Sequence, residues 1–134
     1  MTGPEPRWVP RLVIVAVHLD QLREHGGLIG IRDEHALEIA LARAPHRSMC
    51  EPESDLASLA AAYAFGIGTG HPFRDGNKRM SFLAAVVFLG LNGFALVAPE
   101  EEAVERILAL ASGRLDENAI ADWLRSRIEP RPGV

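Results

Sequence analysis

The sequence is poor in cysteine, in excess positive charge and in long apolar runs. Its one cysteine, Cys50, cannot form an internal disulfide, and the first residues lack the charged and apolar regions of a signal peptide, so we expect a cytoplasmic protein. A formal net charge of −4 argues against a nucleic-acid binder, because such proteins carry a basic excess. The longest apolar stretch, residues 80–91, is shorter than the ~20 residues of a membrane-spanning helix, so we expect no membrane span.

What the sequence does contain is enough apolar material for one core. Hydrophobic residues make up 48% of the 134 positions, which suits a single domain. The patterns predict an all-α protein, a compact bundle of about six helices around a central apolar helix at residues 80–89. We expect a loose N-terminal leader over residues 1–7, one domain over residues 8–129 and a C-terminal tail over residues 130–134.

Apolar spacing and helix-breaking residues predict the details of the outer helices. The second helix should end before Pro45 and be followed by an irregular loop to Pro52, and the third should unwind through Gly66, Gly68 and Gly70. The buried stripe of the first helix is predicted to consist of Leu12, Val15, Ala16, Leu19 and Leu22. Those of the fifth and sixth are predicted to consist of Val104, Ile107, Leu108 and Ala111, and of Ile120, Trp123, Leu124 and Ile128.

The segment that carries chemistry immediately precedes the central helix. A buried helix that begins near Gly76 directs its free N–H groups, and about half a positive charge, into the loop before it. Gly76 permits an anion to approach closely, Asn77 offers an amide donor, and Lys78 and Arg79 add positive charge. The sequence therefore predicts a phosphate-binding loop, which reads His71, Pro72, Phe73, Arg74, Asp75, Gly76, Asn77, Lys78 and Arg79.

Two residues of this loop indicate that it catalyses a reaction as well as binding phosphate. Asp75 would repel a phosphate unless a hard cation bridged the two, so a metal ion such as Mg²⁺ is implied. His71 can accept a proton from an attacking hydroxyl at neutral pH and is the predicted general base. Pro72 and Phe73 are predicted to anchor the loop in the core. Simpler roles are also open: a backbone-bonded His71, Asp75 as a helix N-cap, and Asn77 and Arg79 as turn and ion-pair residues.

The motif at residues 71–79, followed by an apolar helix, resembles the core motif of Fic-fold proteins, in particular of the Doc branch, the death-on-curing toxins. Residues 25–30 and the pair Arg32-Asp33 look like the glycine loop after the first helix of Doc-like proteins. The resemblance implies a Mg²⁺-dependent transferase that attaches part of ATP to a protein hydroxyl. It assigns His71 as general base, Asp75 as Mg²⁺ ligand, Asn77 and Arg79 as phosphate contacts, and Phe73 as core anchor.

Lys78 bears on which part of ATP is transferred. Fic enzymes that transfer AMP usually have glycine at this position and the Doc branch has lysine, so the resemblance implies transfer of the γ-phosphate to a Thr of elongation factor Tu. His71-Pro72 and Gly76, however, are the forms found in AMP-transferring members, so AMP transfer is an alternative. A module without catalysis that binds an antitoxin or another partner is a second alternative.

The resemblance also raises the question of regulation. Doc-like toxins are neutralised by a separate antitoxin, whereas many Fic proteins carry an inhibitory Ser/Thr-x-x-x-Glu-Gly/Asn helix. Residues 112–118 come closest to that motif, but Glu117 is one residue too far from Ser112, so we expect an antitoxin in trans. Residues 43–53 lie where Fic-fold proteins place the flap that aligns the target peptide, and they are equally interpretable as a connector. The remaining histidines, at positions 18, 25, 35 and 46, are expected to be exposed or locally bonded.

Overall fold

The computed structural model describes residues 5–131, which form six α-helices and one pair of short strands. The helices are α1 (Arg11–His25), α2 (Glu34–Cys50), α3 (Leu56–Gly70), α4 (Asn77–Leu91), α5 (Glu100–Ala111) and α6 (Glu117–Arg127). Strands β1 (Phe94–Leu96) and β2 (Ile128–Pro130) pair in antiparallel orientation, with Ala95 opposite Glu129. The predicted all-α bundle is confirmed. No helix in this part of the chain is long and apolar enough to cross a membrane.

The sequence predicted that the helix now labelled α4 is the centre of the bundle. In the structure the central helix is α3. Helix α3 packs against α2, α4, α5 and α6, and ten consecutive or nearly consecutive positions along it, between Ala57 and Gly68, are buried. Helix α4 buries one broad face, while Phe82 and Leu83 on its other side remain partly exposed. Small side chains explain the difference, because the alanines of α3 let neighbouring helices approach from all sides.

The glycines of α3 do not unwind the helix, which continues to Gly70. A Cβ at Gly66 would lie 3.1 Å from the Cα of Ala40 in α2, and one at Gly68 would lie 3.1 Å from Ser81 Oγ in α4. Both glycines therefore permit close helix packing, and this packing offsets the cost of about 1 kcal/mol that glycine carries inside a helix. Ser81 Oγ also donates a hydrogen bond of 2.7 Å to the carbonyl of Ala64.

Helix α2 does not end before Pro45, and the loop predicted from Pro45 to Pro52 is helical as far as Cys50. Contacts with α6 explain why the helix tolerates an internal proline. Arg43 and Arg47, on either side of Pro45, both pair with Glu117, at 2.6 and 2.5 Å. Since most of residues 43–53 is helical, this segment is not an extended flap that could pair with a peptide backbone.

The buried faces of α1 and α5 differ from the predicted stripes. In α1, Ile14, His18 and Leu22 face the core, whereas Leu12 is 79% exposed. Apolar residues occur on every side of α1, so spacing alone did not identify the buried face. In α5 the buried residues are Ala103, Ile107 and Leu110, while Val104 and Leu108 are 51% and 45% exposed.

The buried face of α6 was predicted correctly as far as Leu124, but the residue predicted to follow it is not part of the helix. Ile120, Trp123 and Leu124 are buried as expected, but Ile128 belongs to β2 and not to the helix. Of the predicted leader and tail, residues 1–4 and 132–134 lie outside the described part of the chain. Within that part, the backbone of Arg7 exchanges hydrogen bonds with the side chain of Asn92. The domain boundaries remain predictions.

The N-terminus of α3 generates a stability prediction. Asp55 caps α3 by accepting a hydrogen bond from Ser58 N, and Arg125 of α6 binds the same carboxylate at 2.6 and 3.0 Å. We expect Asp55→Ala to lower the free energy of unfolding by about 1–2 kcal/mol, because it removes the cap. Asp55→Asn, which retains a capping side chain, should lower it by less than about 1 kcal/mol, since the ion pair is half exposed. Urea denaturation measures both values.

The same site predicts a pH dependence. The hydrogen bonds from the Arg125 guanidinium hold the pKa of Asp55 well below its usual value of 3.8. A carboxylate with a lowered folded-state pKa stabilises the fold above the unfolded-state pKa, and this contribution is lost as the pH falls below it. The difference in unfolding free energy between the wild type and Asp55→Asn should therefore shrink below about pH 4. A constant difference from pH 7 to pH 3 would contradict the ion-pair interpretation.

Candidate active site

His71 lies at the junction between α3 and α4 in a strained backbone conformation. It follows the last residue of α3 and is left-handed, with φ 47° and ψ 55°. It is the one residue other than glycine with a positive φ among residues 5–131. This conformation costs a residue with a Cβ about 1–2 kcal/mol, so the surrounding contacts must stabilise it. The residue is exposed, and its imidazole is accessible to a ligand.

Arg32 provides the stabilising contacts. Its guanidinium donates from Nε to the carbonyl of His71 at 2.7 Å and from Nη2 to the carbonyl of Gly70 at 3.0 Å. These carbonyls lie at the C-terminal end of α3, where the helix has no further N–H donors. The backbone N–H groups of Arg32 and Asp33 both donate to the carbonyl of Pro72, at 2.7 and 3.1 Å. Arg32 therefore holds the backbone that carries the candidate base.

Residues 26–32 form a glycine-rich loop that runs beside the motif. Ile31 and Phe73 form an isolated antiparallel β-bridge, and Arg74 N donates to the carbonyl of Gly30 at 3.0 Å. Backbone hydrogen bonds of this kind hold an irregular segment at a fixed distance from its partner. The loop thus positions the middle of the motif, while Arg32 positions its beginning.

The carboxylate of Asp75 lies against the same loop. Its Oδ2 accepts a hydrogen bond of 3.1 Å from Leu28 N, and its Oδ1 one of 3.2 Å from Gly76 N. Within residues 5–131, no three His, Cys, Asp or Glu side chains gather into a metal site, and Asp75 is the carboxylate that lines the cavity described below. Mg²⁺ is often held by one or two carboxylates together with waters and substrate phosphates. The residues present fit an ion shared with a nucleotide.

Helix α4 presents an open N-terminus beside Asp75. Its N-cap is Gly76, in a left-handed conformation with φ 78°, and no side chain in the described region caps it. The N–H groups of the first turn are therefore available to an anion. Lys78 and Arg79 are exposed on this turn, and neither forms an ion pair within the described residues. The simpler roles of Asp75 as N-cap and of Arg79 as an ion-pair partner are thus not seen.

The side chain of Asn77 turns inward. Its Oδ1 accepts from Phe73 N at 2.9 Å, and its Nδ2 donates to the carbonyl of Phe73 at 2.9 Å. This pair of bonds closes the motif into a tight loop. The predicted contact of Asn77 with phosphate is left to the second hydrogen on Nδ2 and remains a prediction.

One cavity collects most of the predicted site residues. It has a volume of about 420 Å³, and Pro72 and Phe73 of the same motif are buried, as predicted for residues that anchor the loop in the core. Three cationic side chains and one carboxylate surround it, so its local charge is positive although the protein as a whole is negative. Its lining consists of His71, Arg74, Asp75, Gly76, Asn77, Lys78 and Arg79.

Sequence reasoning missed two residues that contact the motif. His18 was expected to be exposed or locally bonded, but it is 3% exposed and contacts residues more than 50 positions away. Its spacing of four from both Ile14 and Leu22 was the available signal, once the correct face of α1 is chosen. Arg32 belongs to the segment that resembles the glycine loop of Doc-like proteins, but nothing in the sequence indicates that its side chain reaches the backbone of His71.

Comparison with known proteins identifies the class to which this fold and site belong. The family model described as Fic/DOC family matches residues 8–89, more than half of the chain, and the protein therefore belongs to the Fic/DOC family. The chain is also 31% identical over 112 residues to a protein of Escherichia phage P1 that is named Protein kinase doc. This similarity covers 84% of the present chain and 88% of the phage protein.

The packing of the glycine loop on Asp75 generates a prediction about metal binding. A Cβ at Gly27 would lie 2.9 Å from Leu22 Cδ2 and 3.0 Å from Asp75 Oδ2, and the φ of Gly27 is +127°. We expect Gly27→Ala to displace the carboxylate and to weaken the binding of Mn²⁺ in the presence of ATP by roughly 10-fold or more. Isothermal titration calorimetry, or the electron paramagnetic resonance signal of free Mn²⁺, measures this affinity.

Gly113→Ala is the matched control, because Gly113 has a positive φ of 79° and its Cβ would meet nothing within 4 Å. It should lower the thermal unfolding temperature through backbone strain without changing the affinity for Mn²⁺. Equal losses of affinity in the two variants would mean that general destabilisation, and not displacement of Asp75, is responsible.

Proposed function

We propose that this protein is a Doc-like toxin that transfers the γ-phosphate of ATP to a Ser or Thr hydroxyl of a target protein and so arrests growth. The observation that carries the proposal is the convergence of an exposed imidazole, a carboxylate and an open, positively charged helix N-terminus on one cavity. Membership of the Fic/DOC family and the similarity to a protein named a protein kinase support the same conclusion.

The residues of the cavity have separate roles in the proposed phosphoryl transfer. A hydroxyl oxygen of the target forms a bond to the γ-phosphorus while the bond to the bridging oxygen of ADP breaks, and His71 accepts the hydroxyl proton. The N–H groups at the start of α4, with Lys78 and Arg79, stabilise the negative charge on the phosphoryl oxygens. When bound at Asp75 together with the phosphates, Mg²⁺ supplies further charge neutralisation.

Lys78 favours phosphoryl transfer over AMP transfer. Its side chain is exposed and lines the cavity, at the position where AMP-transferring relatives usually have glycine and so leave room for a phosphate. AMP transfer remains the alternative, because His71-Pro72 and Gly76 match the residues of AMP-transferring members. The same cavity serves either reaction, and only the orientation of the nucleotide differs.

The proposed partners are elongation factor Tu as target and an antitoxin in trans as inhibitor, in the cytoplasm. A groove of about 520 Å³ between α4 and α5 supports the proposal of an antitoxin that binds in trans. Lys78 and Arg79 stand at the groove, and Val104 and Leu108 present half-exposed apolar surface to it. An apolar segment with an acidic end would cover this groove and obstruct the cavity.

Parallel reactions with α-labelled and γ-labelled ATP test the proposed activity. The purified protein is incubated with Mg²⁺ and elongation factor Tu, and label on the factor is followed with time. We expect label from the γ position only, and we expect His71→Ala to reduce its rate by 10²–10⁴-fold through loss of the general base. His46→Ala is the matched control, because His46 is exposed and lines a separate cavity.

The outcomes separate the alternatives. Label from the α position would establish AMP transfer and overturn the kinase proposal. Growth arrest that persists when His71→Ala is expressed in place of the wild type would show that the protein acts by binding a partner without catalysis. Modification of other proteins in a lysate, but not of elongation factor Tu, would retain the activity and reject the target.

A further inference from the structure

His18 is a buried polar residue to which the mechanism above assigns no role. It lies on α1 and is 3% exposed. Its ring stacks on that of Phe73, with centroids 4.0 Å apart and planes inclined by 20°. A histidine buried in a core needs a hydrogen-bond partner, because an unpaired polar group in this environment costs about 1–3 kcal/mol.

The partner of His18 is the backbone of the motif. Nε2 of His18 lies 2.9 Å from the carbonyl oxygen of Asp75. A carbonyl oxygen can only accept, so Nε2 carries the hydrogen and donates it. A Cβ built on Gly76 would lie 3.8 Å from Nε2, so the imidazole is next to the Asp75–Gly76 peptide.

This contact determines which way the peptide between Asp75 and Gly76 faces. In a trans peptide the C=O and N–H groups point in opposite directions. With the carbonyl directed inward to His18, the N–H of Gly76 faces outward, where it lies 3.2 Å from Oδ1 of Asp75. Rotation of the peptide would instead turn a carbonyl oxygen, with its partial negative charge, toward the cavity.

Helix α4 itself cannot hold this carbonyl. The first helical hydrogen bond runs from Met80 N to the carbonyl of Gly76, and the carbonyl of Asp75 precedes it. The carbonyl therefore depends on a donor from elsewhere in the fold, and His18 is the donor that the structure places there.

We infer that His18 is a positioning residue that fixes the orientation of the Asp75–Gly76 peptide. In this orientation the N–H of Gly76 faces the cavity and the side-chain carboxylate of Asp75 is held in place. The expected effect of His18 on catalysis rests on the proposed function. The orientation of the Asp75–Gly76 peptide by His18 does not depend on that function. His18 acts through Asp75 and the start of α4 and does not contact the reacting atoms.

Two substitutions separate the hydrogen bond from ring packing. His18→Phe retains an aromatic ring to stack on Phe73 but has no donor, whereas His18→Gln carries an amide nitrogen that can reach the position of Nε2. We expect amide hydrogen exchange in peptides covering residues 72–80 to be faster in His18→Phe and close to wild type in His18→Gln. In the labelled-ATP assay, His18→Phe should lose about 10-fold to 100-fold in kcat or in Mg²⁺ affinity, and His18→Gln should recover most of this loss.

Tyr63→Phe is the matched control. It removes one buried hydrogen bond, from Val9 N to Tyr63 Oη at 3.0 Å, and keeps the ring. It should lower the unfolding temperature without changing exchange over residues 72–80. Equal exchange in the wild type and His18→Phe, or equal losses in His18→Phe and His18→Gln, would overturn the inference.

A measurement on the wild type covers the case in which His18→Phe does not fold. Nitrogen-15 NMR of the imidazole should show a slowly exchanging hydrogen on Nε2 of His18, and a hydrogen on Nδ1 alone would overturn the inference. A wild-type protein that shows this resonance but transfers no label from ATP would reject the proposed function while supporting the position of His18.

Discussion

The hydrogen bonds between residues 28–33 and the motif hold the backbone and the carboxylate of the candidate site in place. The motif reverses the chain between two helices and contains two left-handed residues, His71 and Gly76. A loop of this kind leaves peptide groups without helical partners, and those groups must find donors and acceptors elsewhere. The glycine-rich loop supplies them to the backbone of Pro72 and Arg74, and Leu28 N in the same loop binds the side-chain carboxylate of Asp75. The geometry of the cavity thus depends on a segment about 40 residues earlier in the chain.

Arg32 also has an electrostatic consequence for the cavity. The C-terminal end of α3 carries a partial negative charge, and it lies only a short loop away from the positive N-terminal end of α4. Without compensation, the partial negative charge at the end of α3 would weaken the attraction of an anion to the positive end of α4. The guanidinium of Arg32 lies on the terminal carbonyls of α3, at Gly70 and His71, and neutralises that end. The N-terminus of α4 then remains the dominant dipole at the cavity.

The sequence allowed much of the site to be predicted because the residues around the cavity are consecutive. The helix N-terminus, its glycine and the flanking charges could be recognised locally. What could not be predicted depends on contacts across the fold. The path of α2 through Pro45 depends on Glu117, 70 or more positions from its arginine partners. His18 meets Asp75 across 57 positions, and α1 offers several apolar faces from which to choose.

The distribution of ion pairs explains how a chain with a net charge of −4 presents a cationic cavity. Four arginines outside the cavity are neutralised by nearby carboxylates: Arg43 and Arg47 by Glu117, Arg125 by Asp55 and Arg127 by Glu102. These pairs connect α6 to α2, α3 and α5, and they contribute little net field at a distance. Lys78 and Arg79 have no such partner within residues 5–131, so their charge is available where the N-terminus of α4 adds to it. The positive charge of these side chains and the N-terminus of α4 therefore act together at this cavity, which attracts an anion although the net charge of the protein is negative.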